Sequence, residues 1–349
     1  MGESYVLLRR LPLPIREAGI HGLIWRHFLI FYIAFIPHLF SPSLMTGEEL
    51  KQDFILTDAK SGLASLEPKS ISVVVCSPPY FRCRDYAPES AHSNAIGDSV
   101  QHAGSQLGHE ETPEEFAYNL AEIFGYGTYL TDAGSLWIVI GDTFARKNSP
   151  TTTTKEAICI HHMLVTEMRK REWRLWQEIV WVKPSVPPSG AAQVRCNPSK
   201  EYILWFVRPK VKPFFMPREI REEGSTPAGK VMPPVGGKKY GTYTRTLVSD
   251  GKRCRQDVWI ICPSRNSGAH VAPFPEEIPR LIIAACTKEG DMVCDPFGGT
   301  LTTGRVAKVM GRASVCFDIY DHSSRKRESE QQDDIESKKP RGASGKAEA

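Results

Sequence analysis

Short apolar runs alternate with amphipathic helical segments along the chain from residue 54 onward. Apolar runs of this length are typical of strands buried in a parallel sheet, and their alternation with helices indicates βαβ units. The pattern therefore predicts an α/β fold with a mainly parallel sheet. The predicted strands cover residues 54–57, 71–76, 135–142, 176–182, 201–207 and 292–294, and a last strand ends at Asp318.

One helix start is marked clearly by its sequence. Thr112 has the side chain of a helix N-cap, Pro113 suits the first helical position, and Glu115 stands where it completes a capping box. A second helix is predicted over residues 155–170 and a third over 274–286. We expect a fourth helix directly after Thr300, with that threonine as its cap.

The apolar stretch over residues 23–40 looks like a membrane segment at first sight. Arg26, His27, Pro37 and His38 interrupt it, so its uninterrupted apolar part is only nine residues long. A spanning helix needs about 20 such residues, and the stretch also lacks the small-residue cleavage site of a signal peptide. We expect no membrane association and a folded domain that begins near Met45.

Composition suits a soluble globular protein of one large or two modest domains, with 349 residues, 41% of them hydrophobic and 24% charged. The nine cysteines form no Cys-x-x-Cys pair and no zinc-ligand spacing. This argues for reduced thiols in a cytoplasmic protein, and we predict no metal site. The tail over residues 323–349 has seven basic and six acidic residues and no aromatic residue, so it is predicted to be disordered.

Positive charge is concentrated between Arg208 and Arg255, which hold 12 lysines and arginines against four acidic residues. This segment has a net charge of +8 in a chain whose total is +4, so the remainder is acidic. It shows no obvious alternation of strands and helices. Such a tract fits a surface that contacts phosphates, and it fits equally a solvated loop with scattered lysines.

The strand over residues 71–76 stops at Ser77, Pro78, Pro79 and Tyr80. A rigid turn would explain the two prolines, since 26 prolines give about two Pro-Pro pairs by chance and the chain has three. The tetrapeptide by itself therefore leaves a structural and a catalytic interpretation open.

A second group of residues follows the predicted strand that ends near residue 294. Asp295, Pro296, Phe297, Gly298 and Gly299 form a turn, and Asp318 ends the next strand 23 residues after Asp295. A glycine-containing turn after a strand, with an acid about 20 residues later, is typical of sites that hold the ribose of an adenosine cofactor. The chain has neither the G-x-x-x-x-G-K-[ST] nor the G-x-G-x-x-G motif, so nothing prepares the turn for phosphates. An acidic turn suits the cationic S-adenosylmethionine better, although a strand-end aspartate can also serve only to cap a helix.

Together the two groups resemble the DNA methyltransferases that modify cytosine N4 or adenine N6, in the permuted order in which the catalytic half comes first. Ser77-Pro78-Pro79-Tyr80 matches their catalytic tetrapeptide in the Ser-first form typical of the cytosine-N4 branch, and Asp295-Pro296-Phe297-Gly298-Gly299 matches their cofactor loop. The resemblance covers roughly residues 53–320. Weaker matches occur in the family's order at residues 57–59, 135–143, 178–184, 198–207 and 270–277.

The resemblance implies a Rossmann-like S-adenosylmethionine-dependent methyltransferase fold with a doubly wound sheet and an inserted target-recognition region. It divides the chain into an N-terminal extension, a catalytic half, a basic target-recognition region, a cofactor-binding half and a tail. These parts are predicted over residues 1–44, 45–207, 208–256, 257–322 and 323–349, respectively.

The resemblance also implies roles for individual residues. The Ser77 hydroxyl and the Pro78 carbonyl would accept hydrogen bonds from the target amine, Pro79 would keep the loop rigid, and Tyr80 would stack on a flipped base. Asp318 would bind the ribose hydroxyls of the cofactor, Asp295 its methionine end or the neighbouring loop, and Asp58 its adenine side. The other residues implied in the cofactor pocket are Phe274, Pro275, Pro296, Phe297, Gly298, Gly299 and Thr300.

Contacts with double-stranded DNA are predicted on the loop over residues 236–245, where three basic side chains stand beside two tyrosines: Lys238, Lys239, Arg245, Tyr240 and Tyr243. A restriction endonuclease acting on the same site is the protein partner that such an enzyme would have. Lys183 and His270 are left outside catalysis, because a lone lysine after a strand is usually solvated and a lone histidine is usually structural.

Three features depart from the family pattern. Leu301 stands where many relatives have a third glycine, the chain becomes polar soon after Asp318, and the first 44 residues match nothing. Two alternatives remain open at this point, an adenine-N6 methyltransferase and a DNA-binding relative that has lost catalysis. A cytosine-C5 mechanism needs a cysteine nucleophile after a proline, and the chain has no Pro-Cys dipeptide.

Overall fold

The computed structural model describes residues 50–83, 107–145, 155–186, 195–232, 247–264 and 275–320. Within them the helices are α1 (Ala59–Ala64), α2 (Pro113–Phe124), α3 (Ile160–Lys170), α4 (Glu277–Cys286) and α5 (Thr302–Val309), with a 3₁₀ helix at Pro217–Ile220. The strands are β1 (Gln52–Leu56), β2 (Ile71–Cys76), β3 (Leu130–Ile140), β4 (Arg174–Val182), β5 (Lys200–Val207), β6 (Glu222–Glu223), β7 (Val231–Met232), β8 (Leu247–Val248), β9 (Lys252–Arg253), β10 (Val258–Ile260), β11 (Met292–Asp295) and β12 (Ala313–Asp318).

Eight of these strands form one sheet in the order β1-β12-β11-β2-β3-β5-β4-β10. Every neighbouring pair in it is parallel except the two pairs made by β5, which runs antiparallel to β3 and to β4. The predicted mainly parallel sheet is confirmed. Because the parallel strands share one direction, their carboxyl ends all lie along a single edge, to which the antiparallel β5 contributes its amino end.

Helices cover both faces of this sheet, which makes the fold doubly wound as predicted. On one face α1, α2 and α3 pack on Val74, Cys76 and the residues that share their side of the sheet. On the other face α4 and α5 pack on Val73, Val75 and their neighbours. Successive side chains of a strand point to opposite faces, so a strand buried on both sides must be apolar throughout, as β2 is.

Two tryptophans stack on each other on the face of the sheet that α4 and α5 cover. Trp137 of β3 and Trp205 of β5 are opposite each other in the register, and their rings stack with centroids 4.4 Å apart. Trp137 is almost fully buried, and its indole nitrogen donates to the Ser135 hydroxyl at 3.0 Å. This pair ties the antiparallel strand to the parallel part of the sheet.

Two predicted helix starts were too early. The helix predicted from residue 155 begins at Ile160, because Cys159 before it has a left-handed backbone with φ of 61° and cannot continue a helix. The helix predicted from residue 274 begins at Glu277. Residues 265–274 lie outside the described residues.

The caps of α2 and α5 show which local signals are reliable. Thr112 caps α2 as predicted, its hydroxyl accepting from the Glu115 amide at 3.1 Å. The reciprocal bond of the capping box is shifted by one residue, since the Glu115 carboxylate accepts from the Glu111 amide. Thr300 does not cap α5, because Leu301 occupies the N-cap position and makes no side-chain cap bond.

The basic tract contains short regular structure that its sequence did not indicate. β6 pairs with β9 and β7 pairs with β8, both antiparallel, so two small ribbons lie outside the large sheet. Part of the positive charge is used within these ribbons. Arg221 forms an ion pair with Asp250, and Glu222 accepts from both Arg253 and Arg255.

No helix among the described residues has both the length and the apolar character needed to cross a membrane.

Candidate active site

The two groups of residues singled out in the sequence follow two adjacent strands, at the point where the order of the strands in the sheet reverses. β2 and β11 are adjacent, and their chains leave in opposite directions, β2 through α2 to β3 and β11 through α5 to β12. The two helices also lie on opposite faces. A crevice at the carboxyl ends of the strands at such a switch point is the usual ligand site of an open α/β sheet. The loops that begin at Ser77 and Pro296 both start at this switch point.

The Ser77-Pro78-Pro79-Tyr80 loop is held by the tyrosine. The Tyr80 hydroxyl donates to the Glu201 carboxylate at 2.8 Å, and the Ser77 hydroxyl donates to the Tyr80 oxygen at 3.5 Å. The tyrosine ring lies against the backbone after β3, where a Cβ on Gly141 would come within 2.7 Å of it. Glycine is therefore required at position 141 for this approach.

The loop after β11 is organised around a buried carboxylate. Asp295 is 1% exposed, and its two oxygens accept from the Phe297 amide at 3.0 Å and from the Thr303 hydroxyl at 2.6 Å. Both partners belong to the loop or to α5. Asp295 therefore fixes the path of the cofactor loop from inside.

Electrostatics make Asp295 unusual. Burial raises the pKa of its carboxyl to about 7, the charge of Asp318 adds to this, and the hydrogen bonds from Thr303 and Phe297 oppose it. No cation of the described residues contributes to this balance. A carboxylate in such a position is stabilised by a bound cation.

Gly298 and Gly299 bring the loop onto the end of β12. The Gly298 amide donates to the Phe317 carbonyl at 2.7 Å, and a Cβ there would lie 3.2 Å from that same oxygen. Gly299 has a φ of 49°, and its amide donates to the Asp318 carboxylate at 2.7 Å. The glycines thus attach the loop to the acid that ends β12.

Leu301 adopts the left-handed conformation, with φ of 59°. This backbone region is open to glycine and costs about 1–2 kcal/mol for a residue with a side chain. Leu301, which replaces the third glycine of the family pattern, therefore has a backbone conformation that favours glycine. The neighbouring bonds hold it in place, including the one from the Leu301 amide to the Gly298 carbonyl at 2.7 Å.

Asp58 and Asp318 lie at the ends of adjacent strands, since Leu56 is paired with Asp318. Asp58 caps α1, where it accepts from the Ser61 amide at 2.9 Å. Partial burial opposes ionisation of Asp58, but the hydrogen bonds from Ser61 outweigh it and hold the pKa of this carboxyl below its usual value. Asp318 also accepts from the Tyr320 amide at 2.9 Å, so its carboxylate is oriented by the backbone on two sides.

Two acidic residues at the same edge were missed in the sequence. Asp142 follows β3 and accepts from the amides of Cys159 at 3.0 Å and Ile160 at 3.1 Å, which places the start of α3 beside the site. Glu201 stands second in β5 and reaches both Tyr80 and Lys183. A strand-end carboxylate was a usable signal for Asp142, whereas nothing in the sequence near Glu201 indicates its partner.

Several predicted contact residues cannot be placed. Pro275 is described, and its carbonyl accepts from the Ile278 amide in the first turn of α4 at 3.0 Å. The remaining ones lie outside the described residues: Phe274 of the cofactor pocket, and Lys238, Lys239, Tyr240, Tyr243 and Arg245 of the predicted DNA-contacting loop.

One group of side chains among the described residues has the composition of a metal site. His161, His162 and Glu178 bring one ligand atom each within 4.8 Å of one another. His161 is stacked on the Tyr202 ring with centroids 3.6 Å apart, and burial together with His162 lowers its pKa to about 4.

Comparison with known proteins places the described architecture in one group. Residues 71–328 match the N6_N4_Mtase family of DNA methylases. The type II methyltransferase M.Cfr9I of Citrobacter freundii is 29% identical over 285 residues, which cover 75% of this chain and 81% of that protein. M.SmaI of Serratia marcescens, also a type II methyltransferase, is 26% identical over 288 residues, covering 76% and 85%.

A solved structure shares the fold. The PvuII DNA methyltransferase, described as cytosine-N4-specific, superimposes with a TM-score of 0.54 at 18% sequence identity and covers 78% of this chain and 85% of its own. At this level of identity the likeness is one of fold.

Proposed function

We propose that this chain, which belongs to the N6/N4 family of DNA methylases, transfers a methyl group from S-adenosylmethionine to the exocyclic N4 of cytosine at a specific site in DNA. The observation that carries the choice of cytosine is Ser77, the first residue of the tetrapeptide at the switch point. Adenine N6 is the alternative target within the same family, and it is disfavoured by a serine where that branch has aspartate or asparagine.

Chemistry at an exocyclic amine requires help from the protein. The lone pair of the N4 atom is delocalised into the ring, so the nitrogen is a poor nucleophile until it moves towards tetrahedral geometry. Two hydrogen-bond acceptors placed on its two N–H groups favour that geometry. We assign this role to the Ser77 hydroxyl and the Pro78 carbonyl, and the prolines limit the movement of the loop.

S-adenosylmethionine would supply the methyl group from its sulfonium, and because the exocyclic nitrogen attacks that group directly, no covalent bond between the protein and the base is needed. The bond from N4 to the methyl carbon would form as the carbon–sulfur bond breaks, and the cationic nitrogen would then release one proton to solvent. The fit of the site to this cofactor rests on Asp295, a buried carboxylate that a bound ammonium would stabilise. Asp318 and Asp58 lie at the ends of the adjacent strands and suit the ribose and adenine sides.

The product identifies the target directly. DNA from cells that express the protein is digested to nucleosides and scored by mass spectrometry for N4-methylcytosine and N6-methyladenine. We expect N4-methylcytosine above the level of an empty-vector control. N6-methyladenine in its place would contradict the assignment of the target base.

Asp295 gives a pH-dependence that follows from its folded-state pKa of about 7 against an ordinary value of 3.8. Between these values the unfolded chain ionises Asp295 and the folded protein does not, so this carboxyl lowers the free energy of unfolding as the pH rises from about 4 to about 7. In Asp295→Asn the amide accepts from Phe297 and donates to Thr303, and this pH-dependent loss disappears. The difference approaches about 4 kcal/mol as an upper bound.

Urea unfolding of the wild type and Asp295→Asn at several pH values between 4 and 8 measures this difference. We expect the curve of the wild type to fall relative to the variant up to about pH 7 and to run parallel above it. Parallel curves over the whole range would show that Asp295 titrates normally.

DNA contacts are proposed on the loop that carries Lys238 and Lys239. If both ammonium groups neutralise phosphates, the change of both to alanine weakens binding to every DNA sequence and reduces the log–log salt slope by about two. Salt titrations of a fluorescent duplex measure the slope. The matched control changes Lys69 and Lys288 to alanine. These lysines precede β2 and β11 at the opposite edge of the sheet, so we expect the wild-type slope. A wild-type slope in the first variant would mean that Lys238 and Lys239 only solvate the loop.

The type II relatives suggest a setting for this activity. We propose that the methyl group protects a site from a cognate restriction endonuclease, with the basic tract between residues 208 and 256 as the target-recognition region. A plasmid isolated from expressing cells and challenged with a panel of restriction endonucleases that cut GC-containing sites tests this. Resistance to one specificity supports the proposal, and sensitivity to the whole panel counts against it.

A further inference from the structure

Four polar side chains form a line of contacts from the end of β4 to the Ser77-Pro78-Pro79-Tyr80 loop: Lys183, Glu201, Tyr80 and Ser77. Lys183 follows β4, Glu201 stands at the amino end of β5, and the two form an ion pair. Glu201 then accepts from the Tyr80 hydroxyl at 2.8 Å, and the Tyr80 oxygen lies 3.5 Å from the Ser77 hydroxyl. Tyr80 and Glu201, which this line joins, are 121 residues apart in the sequence.

The direction of every bond in this line is determined by its charged end. An ammonium group can only donate, and a carboxylate can only accept. The single hydroxyl proton of Tyr80 is therefore committed to Glu201. In the remaining contact the Tyr80 oxygen must accept, so Ser77 must donate its own proton to it.

We propose that Glu201 and Lys183 are positioning residues. Through Tyr80 they orient the Ser77 hydroxyl so that it accepts a hydrogen bond from the target amine. A serine hydroxyl can rotate and either donate or accept. With its proton directed to Tyr80, Ser77 presents its lone pairs to the substrate. This role rests on the proposed function, in which Ser77 accepts an N–H bond.

The surroundings of the line favour this effect. The Lys183 and Glu201 side chains are 21% and 15% exposed, so solvent competes little with their bonds. The backbone holds them in register, since the Lys183 amide donates to the Ser199 carbonyl at 2.7 Å. The contact of 3.5 Å between Ser77 and Tyr80 is at the long end of a hydrogen bond, and such contacts in catalytic sites commonly shorten when the substrate binds.

Variants in the full chain test the proposal through the rate of methyl transfer to DNA. Tyr80→Phe keeps the ring and removes the hydroxyl, and Glu201→Gln replaces the accepting oxygen pair by an amide that can donate to Tyr80. We expect each change to lower kcat by about tenfold while the KM for DNA and the Kd for S-adenosylmethionine stay within about twofold of the wild type. A structural defect would shift these binding constants and the melting temperature as well.

Lys183 offers a rescue experiment. Lys183→Met removes the cation that holds Glu201, and we expect a loss of kcat similar to that of Glu201→Gln. Lys183→Arg keeps a donating cation and restores most of the rate. Equal rates for the methionine and arginine variants would overturn the part of the proposal that concerns Lys183.

The decisive measurement is a double-mutant cycle with Ser77→Ala. If Glu201 acts only through the proton of Ser77, the change Glu201→Gln costs nothing further in the Ser77→Ala background. A full tenfold loss in that background would show that Glu201 acts by another route, and an unchanged kcat in Glu201→Gln alone would show that it does not act at all. Either result overturns the proposal.

The control is Glu167→Gln on α3. Glu167 also binds a lysine, Lys170, and its side chain is 16% exposed, which matches Glu201. It lies near the end of α3 that points away from the site edge, so we expect wild-type kcat. The failure of the positioning role is distinguishable from the failure of the proposed function. If the wild type makes a product other than N4-methylcytosine, the proposed function is contradicted. The double-mutant cycle compares rates on whichever base the wild type methylates, so it tests the positioning role separately.

Discussion

Ser77→Ala is expected to lower kcat for methyl transfer by about 10²-fold or more, the scale of removing one hydrogen bond that acts in the transition state. The hydroxyl that accepts from the target amine is lost, while the Pro78 carbonyl and the rigid loop remain. Among the described residues, the Ser77 hydroxyl makes one contact, of 3.5 Å with the Tyr80 oxygen. Binding of cofactor and DNA and the melting temperature are therefore expected to stay at the wild-type values.

Single-turnover rates with saturating cofactor and a DNA duplex that contains the target site measure the loss. Ser70→Ala is the control, because the exposed Ser70 hydroxyl bonds to the nearby Glu67 carbonyl at 2.7 Å and its loss tests the effect of removing a serine hydroxyl away from the site. It precedes β2 at the opposite edge of the sheet, so its rate should equal that of the wild type. A wild-type rate in Ser77→Ala would remove the serine from the chemistry.

Asp318→Ala is expected to weaken the affinity for S-adenosylmethionine by about 10- to 100-fold, because charge-assisted hydrogen bonds to ribose hydroxyls are worth roughly 1.5–3 kcal/mol. The change has a second effect on the same site. It removes the acceptor of the Gly299 amide at 2.7 Å and so weakens the attachment of the loop to the end of β12, which the bond from the Gly298 amide to the Phe317 carbonyl still maintains. Both effects act on binding, and kcat at saturating cofactor should change much less.

Calorimetric titration of the variant with S-adenosylmethionine gives the affinity. Asp132→Ala is the matched control, since Asp132 also lies in a strand of the sheet but pairs with Lys69 far from the site, with 78% of its side chain exposed. An unchanged dissociation constant in Asp318→Ala would exclude this residue from the cofactor site. A loss in both variants would indicate general destabilisation.

Local features of the chain were readable from the sequence because they depend on neighbours a few residues apart. β2 is a continuous apolar run, and its limits were predicted correctly at residues 71–76. Thr112 caps α2 as its sequence indicates, since a cap bonds an amide only three residues away. The acid at the end of β12 was likewise found from its spacing to Asp295.

The start of α3 shows where local signals end. Residues 155–159 have a helix-like composition, yet the helix begins only at Ile160, because Asp142 binds the amides of Cys159 and Ile160 from the end of β3. Leu301 is a similar case. Its side chain disfavours a left-handed backbone, and the bonds within the loop and from the loop to β12 hold it there.

The sequence by itself determined the α/β class and the order along the chain of the loops that contain Ser77 and Asp295, and it predicted chemistry at both. Only the tertiary structure decided that these two loops face each other across adjacent strands, and that Glu201 and Lys183 reach the tetrapeptide through Tyr80. The reason is physical. Periodicity and capping are set by contacts within one or two turns, whereas the neighbours of a strand are set by which apolar faces the whole sheet buries, and no spacing between residues 80 and 201 records that choice.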